Sequence, residues 1–359
     1  MTVSTTVEQQ VFQSVKRACY AGLDSVTLRV EIARRVARVV PSDENHFWTL
    51  DPDTALITHG VAQNPTPGLV ADFVGHYYPD DEALAVIDQA RAGAVIKSGV
   101  GPHMAEMMQR GGLAQDLRAL FFTPEAVWGS WCILRGPGPE FTAREMRFLE
   151  RIAPHVADGL KSAALQELAI QRIEGEEQAN VPGFLVLGPD GGVSLRSPAV
   201  TPYLDDLGSD APAEHDEVPF AVVSVRGRLA RLQRLGDAAP GAVRTRARGR
   251  SGRWYALRAT LSEPDAAGRA STIVSIEPAA PREIAPLLFR LYGLSPRERE
   301  VLVWVVRGES TKQIAGHLGI SAYTVQDYLD KACDKVGVRG RKALVAKLFR
   351  EGFAPNLVA

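Results

Sequence analysis

Between Thr311 and Lys342 the chain gathers side chains suited to holding a polyanion. Thr311, Lys312, Ser321, Thr324, Tyr328, Lys331, Arg339, Arg341 and Lys342 supply positive charges and hydrogen-bond donors of the kind that engage phosphate oxygens. Taken singly, each is also an ordinary surface residue. From Leu291 to the end there are eleven Lys/Arg against seven Asp/Glu, a net of +4 within a 359-residue chain of net charge −1. Nucleic-acid contact must therefore rest on a local basic surface, and the modest excess predicts moderate, salt-sensitive affinity. Catalytic chemistry has little support. GxxxxGK[ST], GxSxG and a GxGxxG after a strand are all missing, and the glycine clusters sit in turns with proline or aspartate. His46, His59, His76 and His103 lack close metal-ligand spacing, and Cys19, Cys132 and Cys333 make neither a disulfide framework nor a CxxC pair. No catalytic residue, metal or cofactor is expected. Receiver-type phosphorylation is opposed by N-terminal strands that read as hairpin pairs rather than alternating parallel strands.

The elements that must position the basic surface are punctuated clearly. Ser295, Pro296 and Glu298 give a helix N-cap, a proline at the first helical position and a capping-box partner, and Gly308 ends that helix. Ser310 with Gln313 opens a second helix that ends at Gly319. Ser321 caps a third, running to about Val336 and stopped by Gly337, and a fourth runs from Arg341 to Glu351. Val301, Leu302, Val305, Ile314, Leu318, Ile320, Val325, Leu329, Ala332, Val336, Leu344 and Leu348 recur at three- and four-residue steps and predict inward faces. Such short helices are marginal alone and hold together only by shared burial. The second and third form a helix-turn-helix whose later helix would enter a major groove.

These residues resemble the LuxR/FixJ family effector domain in SPREREVL, Ile314-Ala315, Leu318, GIS at 319–321, TV at 324–325 and KVGVRGR at 335–341. The resemblance implies an all-α, four-helix LuxR-type module over 289–354 that binds double-stranded DNA by its third helix, dimerises through its fourth, and is controlled by upstream domains. One departure matters. Where family members commonly present lysine or other DNA-facing residues, this chain has Gln326, Asp327 and Asp330, and Tyr328 replaces the usual histidine. With Tyr323 these three are the base-contact candidates. Glutamine can pair bidentately with adenine and aspartate can accept from a cytosine amino group, although aspartate repels phosphate. Two readings stand: a changed base preference, or a module that has lost specific DNA binding and leaves a ligand- or protein-binding sensor.

The remainder predicts a multidomain α+β chain. Apolar residues make up 45% and no run is long enough to cross a bilayer; the N-terminus lacks a secretory signal, so a cytoplasmic protein without membrane association is expected. A helix is predicted from Ser25 to Val40, then strands at 46–51 and 55–62 around the turn Asp51–Thr54, helices with loops from Pro67 to Met108, and strands at 117–122 and 126–135. A capping box at Thr142 and Glu145 opens a long helix that Pro154 should bend. Its stripe of Phe148, Ile152, Val156, Leu160, Ala164 and Leu168 could pack on the sheet or, in its second half, pair with another chain. Beyond a polar patch at 174–180 lie hairpin strands around Pro189–Gly192, an acidic loop from Ser209 to Val218, and alternating strands turning at Gly249–Gly252. The proline-rich 279–286 reads as a linker. The first part, 1–172, resembles a GAF-like α/β sensor, carried by WGSWCILR and RIAPHVADGL. The second, 181–280, is similar to a PAS-like α+β domain, carried by VLGPDGGV and GRWYALRATL. Such folds imply a small-molecule effector against the sheet, with Trp48, Phe73, Tyr77, Trp128, Trp131 and Cys132 as candidate pocket residues; aromatic residues on strands are also ordinary core. A homodimer is expected.

Overall fold

The computed structural model describes residues 5–66, 69, 95–97, 102–124, 126–170, 181–208, 218–236 and 243–350. The chain forms two compact units, one from Met1–Thr123 with Val127–Pro278, the other from Ala279–Ala359 with Pro124–Ala126.

In the first unit, helices α1 (Thr5–Cys19) and α2 (Ser25–Val36) precede the antiparallel hairpin β1 (Glu44–Leu50) and β2 (Ile57–Gln63). The Asp24 carboxylate accepts from the amides of Val26 and Thr27, which fixes the start of α2; the helix closes at Val36, shorter than its apolar pattern predicts. Strand β3 (Val95–Lys97), helix α3 (Pro102–Arg110) and strands β4 (Gln115–Thr123) and β5 (Ala126–Arg135) complete a sheet of order β2-β1-β5-β4-β3. Strand β3 corrects the reading of 67–108 as helices and loops: three residues are too few to show periodicity, and only pairing with β4 makes them a strand. Most of the expected helical stretch before Pro102 lies outside the described residues.

Helix α4 (Ala143–Ile170) covers one face of this sheet. Phe47 and Trp131 stand opposite each other in the β1–β5 register and stack on that face, with ring centroids 5.0 Å apart. Gly129 shares the face, and a Cβ there would lie 2.9 Å from Leu160 of α4. Phe148, Ile152, Val156, Leu160 and Leu168 are buried, with Ala163 rather than Ala164 completing the stripe. The stripe is thus covered within the chain as far as Leu168.

The first unit continues with β6 (Gly183–Leu187), β7 (Val193–Arg196), α5 (Thr201–Leu207), α6 (Phe220–Arg234), β8 (Val243–Arg248), β9 (Trp254–Leu261) and β10 (Thr272–Pro278). The second sheet has the order β7-β6-β10-β9-β8, the same permutation as the first. Both expected hairpin turns are present, closed by Gly188 N–H to the Gly192 carbonyl (2.8 Å) and Gly249 N–H to the Arg253 carbonyl (2.8 Å). The acidic loop up to residue 217 lies outside the described residues. Leu185, Leu187, Leu257, Val274 and Ile276 pack with Val222, Val225 and Leu229 of α6.

The two sheets share one apolar core, and a buried ion pair joins them. Trp48 meets Phe220 of α6 edge-on at 5.2 Å, and Gly60 on β2 gives the indole room, since a Cβ there would fall 2.3 Å from it. Asp51, in the β1–β2 turn, accepts from the Arg246 backbone amide (2.8 Å), Nε (3.1 Å) and Nη2 (2.8 Å), and Asp53 meets the same guanidinium. Burial alone would raise the Asp51 carboxyl, but the charge and hydrogen bonds of Arg246 outweigh it and hold the group below the usual carboxylate range.

The second unit is helical: α7 (Pro281–Leu291), α8 (Pro296–Val306), α9 (Thr311–Leu318), α10 (Ala322–Val336) and α11 (Gly340–Arg350). Helix α7 replaces the linker expected at 279–286. Pro281 occupies the first helical position, where no amide is needed, and Ile284, Leu287, Leu288 and Leu291 form a buried stripe that outweighs the break at Pro286. Of the expected inward residues, Leu318 and Ile320 are half-buried and the others are buried.

Replacing Asp51 by alanine leaves the buried Arg246 guanidinium with Asp53 as its remaining carboxylate partner and is expected to cost the first unit about 3 kcal/mol, read from urea unfolding. Because the folded carboxyl is depressed, its contribution is complete above the unfolded range near pH 4 and is lost as the pH falls through the folded value. The wild type should therefore lose stability below about pH 4 more steeply than Asp51→Ala.

Candidate nucleic-acid interface and sensor face

The helix-turn-helix is built from caps upward. Ser310 Oγ accepts from Gln313 N–H (3.4 Å) and the Gln313 side chain returns to Ser310 N–H (2.9 Å), opening α9. Gly319 closes α9 in the left-handed region (φ 63°, ψ 33°), a conformation that costs a side-chain-bearing residue about 1 kcal/mol or more. Ser321 Oγ then accepts from Thr324 N–H at 3.0 Å and lies 2.8 Å from Thr324 Oγ1, starting α10. These two hydroxyls, expected at phosphate, are engaged with each other and with the cap.

Tyr323, Gln326, Asp327 and Asp330 are spaced at i, i+3, i+4 and i+7, which puts them on one side of α10. All four are exposed, Tyr323 at 85%, whereas Val325, Leu329, Ala332 and Val336 of the same helix are buried. Of the two aspartates on this face, one is met by a cation and the other by a neutral amide. Lys331 Nζ donates to Asp327 Oδ2 at 2.7 Å, and Gln326 Nε2 donates to Asp330 Oδ1 at 2.9 Å. The Asp327 hydrogen bond and charge hold the Lys331 ammonium above its ordinary range. Lys331 also lies 5.9 Å from the Tyr328 ring centroid.

Among the phosphate candidates, Lys312, Arg339 and Lys342 are exposed and form no ion pair or hydrogen bond among the described residues. Arg341 is partly committed, donating to the Glu309 carbonyl, and Thr311 is half-buried. The anchoring of α10 carries no local signal in the sequence. Glu298, 3% exposed, caps α8 through Ser295 N–H (2.7 Å) and receives Lys335 Nζ from α10 at 2.8 and 3.0 Å, while Lys335 also donates to the Gly293 carbonyl (2.9 Å). Trp304 stacks on His317 at 4.0 Å, tying α8 to the end of α9.

On the first sheet, the pocket candidates separate by strand face. Trp131 lies on the face covered by α4 and donates to Asn45 Oδ1 (3.1 Å). Trp48 is enclosed by Phe220, and Trp128 donates to Thr123 Oγ1 (3.0 Å). Phe73 and Tyr77 lie outside the described residues. Cys132 lines a cavity together with Leu69, Met107, Met108, Leu134, His46 and Asp116. No spacing in the chain links His46 with Asp116, because they come to one cavity only through the strand order of the sheet. Their face is unusually polar for a core: Glu44 and His46 of β1, Asp116 and Arg118 of β4, and Ser130 of β5 are all buried. His46 Nε2 lies 2.5 Å from Glu44 Oε1, and Thr66 Oγ1 donates to Glu44 Oε2 at 2.6 Å. Burial would raise the Glu44 carboxyl, but His46 and Thr66 outweigh it and keep it below the usual range. His59 is a different case: burial, with the charges of Arg29, Arg248 and Arg250, pushes its imidazole down to about 3.

A bundle of capped helices in which the later of two helices joined by a tight turn exposes one polar face defines a helix-turn-helix module. Residues 293–348 match the family described as bacterial regulatory proteins, luxR family, and the chain belongs to that family. The spore germination protein GerE of Bacillus subtilis (strain 168) is 44% identical over 59 residues, 16% of this chain and 80% of GerE. Among solved structures, the phycoerythrobilin-bound GAF domain from a cyanobacterial phytochrome aligns at 12% identity over 46% of this chain and 98% of its own, with a TM-score of 0.35. Escherichia coli SdiA aligns at 11% identity over 98% of this chain and 99% of its own, with a TM-score of 0.31. No helix among the described residues is long and apolar enough to cross a membrane.

Truncating Glu298 to alanine removes a cap and leaves Lys335 without its carboxylate, so the second unit should lose about 2–4 kcal/mol. Denaturant titration followed by Trp304 fluorescence measures it, and Glu298→Gln, which can still cap, should lose less.

Proposed function

We propose that this chain is a dimeric, sequence-specific transcription regulator that binds double-stranded DNA through the exposed face of α10 and answers to a small molecule or protein sensed by its first unit. In this reading it is a cytoplasmic, non-enzymatic protein organised as a GAF-like sensor over 1–172, a PAS-like domain over 181–280 and the LuxR-type module over 289–354. The observation that carries the DNA reading is the pairing of the two aspartates within their own helix. With Asp327 ion-paired to Lys331 and Asp330 hydrogen-bonded to Gln326, the face carries one uncompensated negative charge rather than two. That favours a changed base preference over loss of binding, with Tyr323, Gln326, Asp327 and Asp330 reading bases. Ser321, Thr324, Tyr328, Lys331, Thr311 and Arg341 are proposed as phosphate contacts beside it, and Lys312, Arg339 and Lys342 as the uncommitted cations for phosphate. A module of net +4 gains specificity by pairing two half-sites, which is the physical case for a homodimer.

Selection of bound genomic fragments, followed by salt-titrated binding to a recovered site, tests the reading. Gln326→Ala should change the preferred bases and cost about 1–3 kcal/mol on the original site. Lys312→Ala should weaken binding to all sequences alike and reduce the salt slope by about 1. Weak, sequence-blind binding indifferent to both substitutions would reject it.

A further inference from the structure

We infer that the cavity beside His46 is the effector site of the first unit, and that it takes an uncharged, mainly apolar small molecule carrying a hydroxyl group. The inference rests on the proposal that the first unit senses a ligand, and it names the site and the chemistry. The cavity encloses about 20 Å³ of water-accessible space, about one water's worth, within roughly 300 Å³ that includes volume open to solvent. Leu69, Met107, Met108 and Leu134 form its apolar wall. The two methionines are unbranched and repack readily, so the wall can yield to a larger occupant.

The polar edge selects the ligand. His46 is about 95% buried, and its Nδ1 has no hydrogen-bond partner among the described residues, although the other ring nitrogen is held 2.5 Å from Glu44. A buried polar atom left unmade costs free energy, and a ligand that satisfies it recovers that cost. Because Nε2 faces a carboxylate, it carries a hydrogen, and Nδ1 is a lone pair in the neutral ring and an N–H in the charged one. A hydroxyl both donates and accepts, so it matches Nδ1 in either state. Carboxylate and ammonium ligands each match only one. An anion is further opposed by the Glu44 carboxylate, the Asp116 charge being matched by Arg118 at 2.7 Å, and any net charge is opposed by the apolar wall. His46 also stacks on Trp48 (5.6 Å, 13°), which meets Phe220 at the start of α6, so an occupant of the cavity lies two ring contacts from the second sheet.

Phenol, toluene and benzoate probe this site on the full chain by calorimetry and thermal shift. Phenol should bind at least about tenfold more tightly than toluene, as one recovered buried hydrogen bond allows, and benzoate should bind weakest. The double variant Glu44→Gln/His46→Phe keeps a ring in place without stranding a buried carboxylate, and should erase the preference for phenol. Should that variant not fold, the ring-nitrogen NMR signals of His46 in the wild type give the same answer: phenol should move Nδ1 and toluene should not. Equal binding of phenol and toluene, binding of neither, or a preference that survives the double variant overturns the inference. Operator binding by the same preparations separates the two claims. Intact DNA recognition without phenol binding removes this site alone, whereas selective phenol binding without DNA recognition removes the regulator reading alone.

Discussion

A carboxylate inside a helical bundle must be met by charge and hydrogen bonds, and Glu298 is met from two directions. Its oxygens cap the first turn of α8 and receive the Lys335 ammonium from the last turn of α10. One side chain therefore sets where α8 begins and where α10 is held against it. The apolar residues of α8 and α10 pack across a broad contact that tolerates sliding; the Glu298–Lys335 pair does not, because a small displacement leaves the buried Glu298 carboxylate without its partner. The exposed face of α10 is defined relative to this anchor, since fixing Lys335 at one end and the Ser321 cap at the other fixes which residues turn outward.

The first unit obeys the same rule at larger scale. Two sheets of identical strand order are joined by Trp48 against Phe220 and by Asp51 buried against Arg246. The apolar contact supplies area, and the ion pair supplies register. Trp48 consequently serves as packing between sheets rather than as the wall of an open pocket, and the polar atoms left for ligand chemistry move one residue pair along, to His46 and its neighbours.

On α10 the two aspartates look unsuited to a phosphate-lined groove when considered as isolated charges. Helical spacing changes that, because residues four apart are neighbours and each aspartate has a donor at that distance, Lys331 for Asp327 and Gln326 for Asp330. Exposed pairs of this type add only a few tenths of a kcal/mol to the helix, so their importance lies in orientation and local charge rather than in stability.

The helix-turn-helix was legible before any coordinates because its information is local. Ser295, Ser310 and Ser321 as caps, Gly319 and Gly337 as stops, and the apolar steps between them act within a few residues of chain, and propensity, capping and periodicity agree there. The hairpins of both sheets were legible for the same reason. Helix α7 was obscured by its prolines, since local breaker chemistry pointed one way and the stripe Ile284–Leu291 the other, and burial decided it. Strand β3 was too short to carry a period. The linking pairs were beyond reach altogether: Asp51 and Arg246 are 195 residues apart, Glu298 and Lys335 37, and His46 and Asp116 line one cavity only because β1 and β4 flank β5 in one sheet. The chain by itself determined which segments could become helices and turns. Tertiary structure decided which charges were buried together and which ring nitrogen was left facing a cavity, because desolvation and pairing act between groups that only the completed fold brings into contact.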